Sequence, residues 1–182
     1  MRVIIEGPKF SGKTTLKKQI AQVVPHSTIV EIKCFFERPK IINHKTQYYE
    51  PRQNTTTTLD LFAETFSTLP QKDSIIVDRF HLFDYVQKMT TYNLDNNCID
   101  SYLKIDNKLE KQGFKIILLT PPKAKLKERW GNAGQQEVKI PIEILYLHRK
   151  LYNKAKKITK LPIFQLEGEE SQIEQIVSWI NA

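Results

Sequence analysis

Apolar residues along this chain alternate between two periods. Short runs dominated by β-branched and aliphatic residues, Val3-Ile4-Ile5, Thr28 to Lys33, Ser74 to Asp78, Phe114 to Leu119 and Pro162 to Leu166, read as strands. Between them lie segments with apolar residues at helical spacing, over 13–24, 56–69, 80–90, 99–111, 123–130, 141–158 and 171–180. In the segment 56–69, Leu59, Phe62, Ala63 and Phe66 share one face, Asn54 is placed to cap the start and Pro70 closes the end. Pro141 opens the longest helix, and Ile144, Leu147, Leu151, Ala155 and Ile158 form its expected inward stripe. Strands that are apolar on both faces and alternate with helices predict an α/β fold, a central parallel sheet of about five strands flanked by helices.

Two stretches fit neither period. Residues 34–54 carry Pro39 and Pro51 and are expected to be an irregular insertion beside an acceptor site, where Phe35, Phe36, Tyr48 or Tyr49 could stack on a base or simply pack. Gly131 to Gln136 is flexible in composition and predicts a small lid over about 130–138. At 182 residues, with no internal repeat, low-complexity tract or linker, the chain is expected to be one domain spanning 1–182.

The chemistry enters between the first strand and the first helix. Gly7-Pro8-Lys9-Phe10-Ser11-Gly12-Lys13-Thr14-Thr15 fits the phosphate-loop pattern G-x-x-x-x-G-K-[ST] in the strand-loop-helix setting that the pattern requires. Glycines at 7 and 12 let successive backbone N–H groups and a helix N-terminus approach a polyphosphate. Lys13 would reach the outer phosphates, and the Thr14 hydroxyl would complete the shell of a magnesium ion that otherwise keeps its waters. Ser11 and Thr15 complete the loop, and Lys9 projects from it. ATP with Mg2+ is the expected cofactor pair.

A second signal is Asp78-Arg79, an acid and an arginine at a strand's carboxyl end, where ligands of parallel sheets bind. Asp78 could orient magnesium-bound water or accept a hydroxyl proton, and Arg79 could clamp a phosphate; a structural ion pair is the rival reading.

Composition changes the picture in one respect. The net charge of +8 and pI near 9.4 favour polyanions, nucleotides and nucleic acid alike. Arginines are few, and bidentate phosphate recognition is their chemistry, so each is informative: Arg2, Arg38, Arg52, Arg79, Arg129 and Arg149. Cys34 and Cys98 lack metal or redox spacing and are expected to be free thiols, and the four histidines show no ligand spacing. No apolar run is long enough for a membrane span or a signal peptide, so no membrane partner and a cytoplasmic location are expected.

With these residues in view, the chain resembles the thymidylate kinase family of nucleoside monophosphate kinases, especially its short phage-type members. The similarity lies in Ile4-Ile5-Glu6-Gly7-Pro8 with Ser11 to Leu16, in Ile76-Val77-Asp78-Arg79-Phe80-His81-Leu82, and in Pro121 to Arg129 leading into the lid. It implies a P-loop kinase fold, Asp78 and Arg79 at the acceptor site, and Arg129 contacting the adenine or phosphates of ATP as the lid closes. There are departures. Lys9 stands where the family usually places an acid that holds the acceptor sugar, no basic residue lies between Arg52 and Lys72 to grip an acceptor phosphate from the preceding helix, and the lid has no arginine between Arg129 and Arg149. Three functions follow. The first is a magnesium-dependent kinase acting on a deoxynucleoside monophosphate. The second is a kinase of a hydroxyl on DNA or on a hydroxymethylated base, which would make DNA a partner. The third is a nucleotide-dependent binding module. Exposed faces cannot be told from dimer faces in a sequence, so a homodimer stays open.

Overall fold

The computed structural model describes residues 1–24, 26–31, 55–92, 99–133, 140–167 and 172–182. The expected insertion over 34–54, with its aromatics and Arg38 and Arg52, the Asn54 cap, Cys98 and the lid residues 134–138 lie outside the described residues.

The strands are β1 (Arg2–Glu6), β2 (Thr28–Glu31), β3 (Ile75–Asp78), β4 (Lys115–Leu119) and β5 (Ile163–Leu166). They form one five-stranded sheet in the order β2-β3-β1-β4-β5, with every neighbouring pair parallel. The helices are α1 (Lys13–Val23), α2 (Thr55–Thr68), α3 (His81–Tyr92), α4 (Ile99–Glu110), α5 (Lys123–Gly131), α6 (Ile142–Ala155) and α7 (Ile173–Asn181). Each predicted strand and helix is present, with ends shifted by a few residues.

Strand parity divides the core. Ile4, Ile75, Val77, Ile116 and Leu118 point to one face, where Leu59, Ala63 and Phe66 of α2, Ile105 and Leu109 of α4, and Leu151, Tyr152 and Ala155 of α6 cover them. Val3, Ile5, Ile76, Ile117 and Leu119 point to the other, under Leu16 and Ile20 of α1 and Ile176 and Ile180 of α7. Burial on both faces is why β1, β3 and β4 read as continuous apolar runs, whereas β2, at one edge of the sheet, is largely exposed.

The stripe of α6 differs from the expected one. Leu145, His148, Leu151, Tyr152 and Ala155 are buried, whereas Leu147 is exposed. Counting only apolar residues skips His148 and Tyr152, two polar-tipped side chains that set the true face, so the predicted stripe is rotated along the helix.

Two scarce arginines are structural. Arg2 is buried and donates to the Phe66, Leu69 and Pro70 carbonyls at the carboxyl end of α2, where orphan acceptors and the helix dipole favour a cation. Arg149 donates from Nε to the Pro121 carbonyl. Neither lines the phosphate cleft described below. No helix among the described residues is long and apolar enough to cross a membrane.

Candidate active site

The loop between β1 and α1 owes its shape to glycine. Gly7 has φ 145°, and a Cβ there would lie 2.4 Å from the Leu119 carbonyl oxygen of β4, so a side chain cannot be accommodated. Gly12 has φ 100° and precedes α1 with no side-chain cap on the helix N-terminus, which leaves first-turn N–H groups directed at the loop's concavity. Phe10 also has a positive φ of 62°. Lys13 is buried and folds back over the loop, donating from Nζ to the carbonyls of Gly7 at 2.8 Å and Pro8 at 2.6 Å. Its ammonium therefore stands where a bound polyphosphate would compete for it.

A cleft of about 320 Å³ opens over this loop, bounded by Lys9 to Thr15 and by Arg79 and Arg129. Arg129 comes from the last turn of α5, lies over Gly12 and donates to the Phe10 carbonyl at 3.4 Å. Lys9 stacks its ammonium over the Phe10 ring, 4.8 Å from the centroid. The fold thus brings Lys9, Lys13, Arg79 and Arg129 around one concavity, as expected of a polyanion site. Thr14 lines it too and fits a magnesium ion carried in with a nucleotide. Among the described residues no group of three or more His, Cys, Asp or Glu side chains could hold a metal unaided.

Asp78 ends β3, and Arg79 follows it and lines this cleft. Arg79 is left-handed at φ 67°, a conformation costing a non-glycine residue about 1–2 kcal/mol. The corner is held because Arg79 N–H donates to the Ile5 carbonyl at 3.0 Å and its guanidinium stacks on Phe83 at 5.1 Å. Strain that the surroundings over-determine is common at functional corners.

Asp78 does not line the cleft. Its Oδ2 accepts from Lys17 Nζ at 2.8 Å, and its Oδ1 lies 4.0 Å from Arg79 Nε. Lys17 also pairs with Glu31, which ends β2 directly opposite Asp78 in the register. Burial alone would push the Lys17 ammonium down, but the two carboxylates outweigh it and hold its pKa above the ordinary lysine value. Lys17 and Glu31 were not singled out from the sequence. One signal was there: Lys17 follows Lys13 by one helical turn.

Behind the loop sits a buried polar group that the sequence reading also missed. Glu6, fully buried at the end of β1, accepts from Phe80 N–H at 2.8 Å, Phe83 N–H at 3.3 Å and the Tyr152 hydroxyl at 3.3 Å. Burial pushes its carboxyl up, opposed by His81, the two amides and Lys13. Burial beside Glu6 raises the Tyr152 hydroxyl well above its usual value. His148 is pushed down to about 4 by burial and by Lys13, so it is neutral at pH 7. His81 instead faces Asp106, with Nε2 2.7 Å from Oδ1, away from Asp78. Burial raises the Asp106 carboxyl, but His81, Thr159 and the Lys160 amide together hold it below the ordinary value.

No protein-family model and no curated protein matches this chain. Solved structures do. The YorR protein of Bacillus subtilis, in complex with phosphorylated GDP, is 16% identical with a TM-score of 0.64 over 100% of this chain and 94% of that one. A deoxyadenosine kinase from M. mycoides, with products dCMP and a flexible dCDP bound, is 19% identical with a TM-score of 0.63 over 100% and 99%. Shikimate kinase from Acinetobacter baumannii, in complex with shikimate, is 13% identical with a TM-score of 0.52 over 99% and 90%. Sheet order, phosphate loop and these likenesses agree on the architecture: the chain has the P-loop kinase fold.

Proposed function

We propose that this protein is a magnesium-dependent phosphotransferase that moves the terminal phosphoryl group of ATP to a deoxynucleoside monophosphate, a thymidylate-kinase-like activity. The observation that carries the reading is the convergence of Lys13, Arg79 and Arg129 on one cleft, from a phosphate loop, a strained strand end and the helix that leads into the expected lid. Phosphoryl transfer asks a protein chiefly to position two reactants and to neutralise charge on the group in flight.

In this reading the backbone N–H groups of the loop and α1 bind the donor phosphates, and Lys13 exchanges its loop carbonyls for phosphate oxygens. Thr14 would hold a magnesium ion carried in with the nucleotide, and that ion would supply neutralisation of phosphate charge. Arg129 closes over the donor, and Arg79 holds the acceptor phosphate. Asp78 and Glu31, sharing Lys17, form an acidic edge beside Arg79, from which Asp78 would orient water bound to the magnesium ion; a phosphate oxygen of the acceptor carries out the attack and needs no base. A deoxyadenosine kinase with dATP or dCTP bound is among the similar folds, which is consistent with nucleotide chemistry here.

The net charge of +8 supports a second reading, transfer to a hydroxyl on DNA or on a hydroxymethylated base. The test is transfer of a labelled terminal phosphate from ATP to nucleosides, nucleoside monophosphates and DNA strands with ordinary or hydroxymethylated bases, with Lys13→Ala as the control. Label on a monophosphate supports the first reading. Label on DNA alone supports the second. No transfer at all, with nucleotide still bound, points to a binding module.

A further inference from the structure

Glu6 is the side chain that joins the two halves of the proposed site. It ends β1 and immediately precedes Gly7, so its backbone belongs to the base of the phosphate loop. Its side chain reaches the other half. Oε1 takes the N–H groups of Phe80 and Phe83, which lie at the first turn of α3 (His81–Tyr92). Those amides have no helical acceptor, and the residue preceding α3 is a phenylalanine that cannot cap it. A carboxylate supplied from β1 therefore does the capping and complements the helix dipole.

Phe80 is also the residue after Arg79. The left-handed Arg79 is thus fixed on both sides by consecutive residues of β1: its own N–H by the Ile5 carbonyl at 3.0 Å and the next N–H by Glu6 at 2.8 Å. The other carboxyl oxygen accepts from the Tyr152 hydroxyl of α6, and the Gly7 backbone N–H is directed at that hydroxyl's oxygen. One fully buried carboxylate and one fully buried phenol thereby connect Gly7, the Phe80 amide next to Arg79, and α6.

A pure capping role needs less than this. Burying a carboxylate is costly unless its oxygens are satisfied, and here the groups that satisfy them come from the Arg79 corner on one side and from α6 on the other. We propose that Glu6, acting with Tyr152, is a positioning residue that fixes Arg79 in register with the phosphate loop, so that the clamp on the acceptor and the cradle for the donor move as one body. The proposal deepens the phosphotransferase reading and rests on it for its kinetic consequence. It also has a structural consequence that does not require catalysis.

The test uses the full chain and two near-isosteric variants, Glu6→Gln and Tyr152→Phe, with thermal melting to establish that each is folded at the assay temperature. With ATP and the best acceptor of the wild-type panel, both variants are expected to lose kcat by about 10-fold or more while KM for ATP changes little, because misplacing one reactant by about an ångström weakens the transition state rather than donor binding. In parallel, amide hydrogen exchange is followed at Phe80 and Phe83. Tyr152→Phe removes no direct partner of these amides, yet it is expected to speed their exchange by releasing Glu6. Folded variants with wild-type kcat, or α3 amides unaffected by Tyr152→Phe, would reduce Glu6 to a helix cap and overturn the proposal. A wild-type protein that phosphorylates nothing would instead overturn the phosphotransferase reading, and the exchange result alone would then decide whether the coupling exists.

Discussion

The phosphate loop and the acidic edge beside it are one helical turn apart along α1, and they are built by different means. The loop is a backbone object. Gly7 and Gly12 adopt torsions that other residues resist, the Leu119 carbonyl leaves no room for a side chain at 7, and the helix N-terminus supplies the binding groups. The edge is a side-chain object: Asp78 and Glu31, from neighbouring strand ends, held together by Lys17. Lys13 and Lys17 make the contrast plain. Each is a buried lysine on the same helix, but Lys13 rests on uncharged carbonyls that a stronger anion can replace, whereas Lys17 is committed to two carboxylates. A site made of backbone is kept ready for a ligand, and a site made of paired charges is already neutralised.

Removing the ligand-facing ammonium should have the largest effect. Lys13→Ala is expected to lower transfer by about 10²- to 10³-fold, the usual cost of one preorganised group facing transition-state charge, with little change in melting temperature. Steady-state kinetics beside a thermal melt checks both halves of that statement. Gly7→Ala should do the opposite and act through the backbone. A Cβ at 2.4 Å from the Leu119 oxygen, added to a left-handed torsion, should destabilise the fold by about 3 kcal/mol, read from denaturant melts.

Acid should weaken the loop side through His148. Its folded pKa of about 4 lies below the ordinary histidine value of 6.5, so the unfolded chain binds more protons between those values. Stability therefore falls as pH drops from 6.5 to about 4, by about 3 kcal/mol in full. In His148→Gln that part of the acid slope should vanish. If the slope is unchanged, His148 is not the group responsible. The smallest effect is expected at the acidic edge. Lys17→Met leaves Asp78 without its ammonium in a site that is only partly buried, and should cost about 1–2 kcal/mol. Adding Asp78→Asn should recover most of that loss, because the more buried of Lys17's two carboxylate partners is then uncharged.

The same division explains what could be read from the chain. Backbone chemistry leaves a mark in local sequence, so the phosphate loop, the strand ending at Asp78 and the alternation of strands and helices were legible from residue types and spacing alone. Contacts between distant side chains leave almost none. Nothing near Glu6 announces Tyr152, 146 positions away, or the amides of Phe80 and Phe83. Scarcity misled in one respect: Arg2 and Arg149 are as rare as Arg79 and Arg129, yet they serve backbone carbonyls and do not line the cleft. The stripe of α6 was misread for a related reason, since burial of His148 and Tyr152 depends on what they meet in the fold and not on their own polarity.

The acceptor decides the account. Labelled terminal phosphate from ATP, offered to the panel of mononucleotides and DNA strands in the presence of magnesium, should appear on a deoxynucleoside monophosphate and disappear with Lys13→Ala. Label confined to DNA, or found on no mononucleotide at all, would contradict the assignment of Arg79 to an acceptor phosphate and with it the proposed reaction.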